Sequence, residues 1–183
     1  MTFGEQEILA EFEHLSEYLN DVEIVAEVLP KGKIAEETSL LVCLPGAESG
    51  TDDGTDEDDL NPENMHVASG YLLDLSEGEN RLAKYLMLYT QIPVDISSMT
   101  AAEVVLLLNE LNRTVRVGHY FLGAVEGEEA PVVQYRATVT GAEGEHLDGG
   151  VVADTIVEMG SGYEVAKTAL LQANEECKKR KGN

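Results

Sequence analysis

Apolar residues at Ile8, Phe12, Leu15 and Leu19 follow one another at spacings of four, three and four. That spacing lays one stripe along a helix of about four turns. Thr2 and Glu5 have the spacing of a capping box at its start, Glu7, Glu11, Glu13 and Glu17 take the other faces, and Asn20-Asp21 ends it. Val22, Ile24, Ala26 and Val28 then recur at every second position, the period of a strand with one buried face. After the turn Pro30–Lys33, Ser39 to Leu44 reads as a short buried strand closed by Pro45-Gly46. His66 to Leu75 and Leu82 to Ile92 read as two arms of a hairpin joined through Ser76–Asn80, with Pro93 as the stop.

A second capping box, Thr100 to Glu103, opens a helix over Ala101–Asn112 with Val104, Leu107, Leu108 and Leu111 on one stripe. Val117–Val125 and Val132–Thr140 read as strands joined by Glu126–Pro131. Asp148 can cap a third helix bearing Val151, Val152, Ile156 and Met159, which Gly160-Ser161-Gly162 is expected to break or kink. A last helix carries Tyr163, Ala166, Leu170, Ala173 and Cys177 and closes on Lys178–Lys181. Strands joined by short turns pair antiparallel, and amphipathic helices must cover or flank the resulting sheet. The fold class is therefore α+β, in one domain spanning residues 1–183, with no internal repeat.

Residues 47–64 interrupt this patterning: AESGTDDGTDEDDLNPEN holds one Leu and no aromatic residue. Such a stretch cannot bury enough surface to offset its ordering entropy, so a mobile acidic loop is expected. Acidity runs through the chain, with 35 Asp plus Glu against 12 Lys plus Arg and a net charge of −23. Residues 1–64 alone carry 18 acidic and 2 basic side chains. A field of that sign repels polyphosphate and anionic lipid, which excludes nucleic acid and membrane surfaces as expected partners and favours steering of basic protein partners. The short basic tail at 178–183 is the exception, placed where the last helix exposes its carbonyls.

No window approaches a membrane span, and the first fifteen residues carry acids where a signal peptide needs a basic region. Cys43 and Cys177 are far apart and without CxxC spacing, so both are read as reduced thiols, Cys43 in the core and Cys177 near a helix end. A cytoplasmic chain is expected. Asn112-Arg113-Thr114 then matches the glycosylation sequon in form only.

Candidate chemistry is sparse. His14, His66, His119 and His146 are scattered, with none at i, i+4 from another ligand type, and HExxH, CxxC and nucleophile-elbow patterns are lacking. No catalytic or cofactor-binding residue is assigned, and no cofactor is expected. The acidic loop offers Asp52, Asp53, Asp56 and Asp58, with Glu57 and Asp59, as candidate Ca²⁺ ligands, hard oxygen donors for a hard cation. The run fails as an EF-hand, since Gly54 stands at the third position and Glu57 replaces the turn glycine. A third reading, a small enzyme centred on His119 with Tyr120 and Arg116, rests on side chains capable of acid–base work.

Several stretches resemble the YbjN family, whose members are described as regulators of bacterial sensory transduction. They are Leu88–Pro93, Asn109–Arg113, the strand Val117–Leu122, and Asp154–Met159 before Tyr163. The resemblance covers roughly Tyr71 to Leu171. It implies a fold similar to type III secretion chaperones: helix, three antiparallel strands, helix, two strands, helix. Those chaperones are small, acidic and commonly dimeric, and hold an unfolded segment of a client without chemistry. By that likeness Val104, Leu107, Leu108 and Leu111 become candidates for a homodimer contact. The chain departs from the pattern in having four candidate strands before the second helix and an inserted acidic loop. The expected function is a non-enzymatic protein-interaction module, chaperone-like or regulatory, with a Ca²⁺-responsive protein as the alternative.

Overall fold

A computed structural model describes residues 4–32, 36–46, 66–73, 83–124 and 131–182. Its elements are α1 (Glu5–Asp21), β1 (Ala26–Leu29), β2 (Ser39–Cys43), β3 (Val67–Leu72), β4 (Ala83–Ile92), α2 (Ala101–Asn112), β5 (His119–Gly123), β6 (Val132–Ala142) and α3 (Gly149–Lys181). The strands form one antiparallel sheet in the order β1-β2-β3-β4-β6-β5. The class is α+β, with four strands before the second helix. Residues 47–65, and with them the acidic loop and the carboxylates Asp52, Asp53, Asp56 and Asp58, lie outside the described residues. So does the hairpin connection at 76–80.

Side-chain alternation divides the sheet cleanly. Leu40, Val42, Ala68, Leu86, Leu88, Val133, Tyr135, Ala137 and Val139 are buried on one face, beneath Phe12, Leu15 and Leu19 of α1 and Ile156, Met159, Tyr163 and Leu170 of α3. All three helices lie on this side. The ten-residue register of β4 with β6, from Ala83 opposite Ala142 to Ile92 opposite Val133, forms the spine of the sheet.

Helix α1 opens two residues later than the Thr2 box requires. Gly4 is its N-cap, and its amide donates to Glu7 Oε2 at 2.8 Å, so Glu7 does the work expected of Glu5. Thr2 lies outside the described residues. At the other end Glu23 adopts φ 64°, a left-handed conformation that turns the chain out of the helix. Val22 is consequently exposed, and the strand begins at Ala26 rather than at Val22. Helix α2 spans the expected residues, with Thr100 Oγ1 accepting from the Glu103 amide and Glu103 Oε2 accepting from the Thr100 amide at 2.9 Å.

The expected break at Gly160-Ser161-Gly162 does not occur; α3 is one helix of 33 residues. These glycines answer to packing. A Cβ at Gly160 would collide with the Pro45 carbonyl, and one at Gly162 would sit 2.7 Å and 2.8 Å from the hydroxyls of Tyr135 and Tyr120. Two helix-interior glycines cost roughly 1 kcal/mol each against alanine, and the close contact of α3 with the sheet offsets that. The basic tail is the last turn of α3, where Arg180 meets Glu103 at 3.1 Å and Lys178 meets Asp95 at 3.6 Å.

Both edge strands are held by an asparagine from the helix before them. Asn20 Nδ2 donates to the Ala26 carbonyl at 2.9 Å while its Oδ1 accepts from the Ala26 amide at 3.2 Å. Asn112 does the same to Tyr120, at 2.9 Å and 2.7 Å. Just before β1 the Val25 carbonyl faces β2, where it accepts from the Cys43 amide, so the groups of Ala26 point to the free edge and the side-chain amide imitates a neighbouring strand. Asn112 is thereby committed to structure, whatever its sequon.

Candidate interaction surface

The second face of the sheet carries no helix among the described residues. Its positions are those of opposite parity: Leu41 and Cys43 on β2, Ser69 and Tyr71 on β3, Tyr85, Met87 and Tyr89 on β4, Gln134 and Arg136 on β6, His119 and Phe121 on β5. The register aligns Leu41, Ser69, Tyr89, Arg136 and His119 in one row across five strands. Leu41, Tyr71, Tyr85, Met87, Tyr89 and Phe121 are each half-buried. Cys43 belongs here rather than in the core, and partial burial raises its thiol pKa.

The charge pattern of this face differs from that of the rest of the chain. Among the described strand residues that point to it, Glu27 on the edge strand β1 is the only carboxylate, although the protein holds 35 Asp plus Glu. Arg136 sits at its β5 side, with its guanidinium 5.3 Å from the Phe121 ring centroid and Nη2 3.0 Å from His119 Nε2. Because guanidinium only donates, His119 Nε2 accepts, which fixes the neutral ring with its proton on Nδ1. Partial desolvation and then the Arg136 charge hold the His119 pKa below the usual histidine value.

This geometry separates the residues of the enzyme reading. His119 and Tyr120 are consecutive on a strand and so lie on opposite faces. Tyr120 is buried on the helix side, its hydroxyl donating to the Gly162 carbonyl at 2.8 Å. Burial and the adjacent Tyr135 raise its pKa far above the free phenol value. Arg116 lies on that same side, paired with Glu158 at 3.0 Å. Arg116, Tyr120 and Glu158 line an open cleft of about 420 Å³ between the end of α2 and the middle of α3, with Leu111, Val115 and Val165. His119 is not among its lining residues, so the three side chains do not converge.

The candidate dimer residues divide. Val104 and Leu108 are 1% and 2% exposed within this chain's own core, and Leu107 and Leu111 pack partly against it. The apolar side chains that α2 presents to solvent are Val105 and Leu106, the latter 66% exposed. The amphipathic spacing located the stripe, and the sheet beneath α2 takes it.

A charged cluster escaped the sequence reading. Glu11 on α1 and Lys84 on β4, 5% and 7% exposed, pair at 2.6 Å. Glu11 Oε1 also accepts from the Leu147 amide at 2.6 Å, and Oε2 lies 3.3 Å from His146 Nδ1. The His146 ring in turn lies 4.4 Å from that of His14. Among the described residues no group of three or more His, Cys, Asp or Glu is arranged to hold a metal ion, and no helix is long and apolar enough to cross a membrane.

No family model matches the chain, and no curated protein does. Among solved structures it is similar to the crystal structure of YbjN from E. coli, a protein assigned provisionally as a transcription regulator. The alignment covers 90% of this chain and 92% of that one, at 12% identity and a TM-score of 0.47. The likeness is one of overall structure, at a level that assigns no function.

Proposed function

We propose that the protein is a non-enzymatic protein-interaction module that takes its partner on the open face of the sheet. One observation carries this reading: in an intensely acidic chain, the half-exposed face bearing Leu41, Tyr71, Tyr85, Met87, Tyr89 and Phe121 holds a single strand carboxylate among the described residues, Glu27 at its β1 border. A face that served only solvation would have no reason to gather tyrosines with Leu41, Met87 and Phe121 around so few charges; tyrosines favour contact surfaces through a large apolar body and a polar tip. The partner fitting this arrangement presents apolar side chains to the face and basic residues outside it, drawn in by the negative field. A homodimer belongs to the same proposal, with Val105 and Leu106 of α2 as the apolar side chains free to form it.

The experiment compares wild type with Met87→Glu on the open face and Leu106→Glu on α2. Oligomeric state is read by light scattering, and captured proteins are quantified by mass spectrometry at low and high salt. The expected result is specific, salt-sensitive capture that Met87→Glu abolishes and Leu106→Glu preserves, with Leu106→Glu shifting any dimer to monomer. Capture that ignores Met87→Glu overturns the assignment of the face.

A further inference from the structure

Strands β3 and β4 separate at one end. Their backbone register runs from Leu72 opposite Leu86 to Ser69 opposite Tyr89 and stops there. Beyond it the Val67 carbonyl accepts from the Thr90 hydroxyl at 2.8 Å, a side chain standing where a ladder amide would be. The separation leaves a slot of about 350 Å³ lined by His66, Ser69, Tyr89, Thr90, Gln91 and Tyr163 among others. Ser69, Tyr89 and Gln91 belong to the open face of the sheet, whereas His66, Thr90 and Tyr163 belong to the helix side. The slot thus opens on the uncovered face at the seam between β3 and β4, with buried Thr90 and Tyr163 on its inner side.

Three features give it a chemical character. The six side chains are hydroxyls, phenols, one amide and one imidazole, and none carries a fixed charge. Burial and then the Lys167 charge 3.4 Å away hold the His66 pKa below the usual value, against the opposing pull of the Glu164 carboxylate. The Tyr163 ring, fully buried and lying 4.3 Å from the His66 ring, has a hydroxyl with no hydrogen-bond partner among the described residues. A buried hydroxyl left unpaired is costly, and such groups in folded chains call for an explanation.

We propose that this slot binds a small uncharged polyhydroxylated molecule of monosaccharide size. Aromatic rings suit the apolar faces of such a ligand, and Ser69, Gln91, His66 and the tyrosine hydroxyls suit its alternating donors and acceptors. A small anion fits poorly: the Lys167 ammonium beside His66 is matched by the Glu164 carboxylate 4.0 Å from the same ring, and the net charge of −23 opposes an anion's approach. The orphaned Tyr163 hydroxyl is the position where the ligand supplies what the chain lacks. This site does not depend on the protein-docking reading of the open face.

The test uses the full chain with D-glucose and myo-inositol as probes and glucose 6-phosphate as the charged control, by calorimetry and thermal unfolding. Tyr163→Phe and Gln91→Leu are compared with wild type. Expected are saturable binding of at least one neutral probe, weaker binding of the phosphate, and affinity about tenfold lower in either variant. Without ligand, Tyr163→Phe is expected to melt higher than wild type, because it removes an unpaired hydroxyl. The proposal is overturned if neither neutral probe binds, if the phosphate binds more tightly, if both variants bind as wild type does, or if unliganded Tyr163→Phe melts no higher.

Discussion

Lys84 Nζ lies 2.6 Å from Glu11 Oε2, joining the first helix to the central strand of the sheet through two charges almost wholly removed from water. Taking both ions out of water is expensive, and the pair persists because Glu11 also receives the Leu147 amide.

Removing one partner should therefore cost far more than removing both charges. Lys84→Met leaves a buried carboxylate without its cation and is expected to destabilise the fold by about 3–5 kcal/mol. Combining it with Glu11→Gln, which keeps an acceptor for the Leu147 amide, should restore most of that loss. Urea unfolding of the two single variants and the double variant measures the difference, and equal losses in Lys84→Met and the double variant would show that the charge is not the cause.

Backbone conformation supplies a pair of opposite expectations. Glu23, at φ 64°, carries a side chain where glycine is preferred, so Glu23→Gly should stabilise by up to about 1 kcal/mol. Gly118, at φ 71°, precedes β5, and a Cβ there would run into the Arg136 carbonyl. Gly118→Ala is expected to lose stability clearly, with thermal unfolding of both variants as the measurement.

The three buried tyrosines set an alkaline limit. Burial pushes Tyr135 and Tyr163 up to about 12 and Tyr120 higher still. A folded pKa above the unfolded value of about 10 gives stability that is intact below pH 10 and lost as pH rises toward 12. Phenolate absorbance from these residues should therefore appear together with unfolding, in one transition followed by ultraviolet absorbance and circular dichroism.

His119 gives a local reading of the open face. Its midpoint in a proton NMR titration should fall below that of an unstructured histidine, and Arg136→Gln should raise it by removing the neighbouring charge. An unchanged midpoint in the variant would leave desolvation as the sole cause.

What was legible in the sequence was local. The Thr100–Glu103 box and the apolar spacing after it located α2 residue for residue, because both signals act within a few residues of one another. The α3 glycines misled for the opposite reason: Gly160 and Gly162 answer to Pro45, Tyr120 and Tyr135, from three separate strands and turns. The Glu11–Lys84 pair had a signal that helix and strand periodicity contained. Glu11 is three residues after Ile8 and four before Leu15, and Lys84 is two before Leu86, so both charges fall at inward phases. The open face was illegible because parity separates the two faces of a strand without saying which of them the helices will choose.

The asparagine clamps have a consequence for assembly. Asn20 and Asn112 occupy the outward-facing amide and carbonyl of Ala26 and Tyr120, so neither border of the sheet can readily template a further chain. Growth into a continuous intermolecular ribbon, the first step toward fibrils, would have to displace these side-chain bonds at each border. An added strand meets a side-chain amide at each border where it would need a free backbone group.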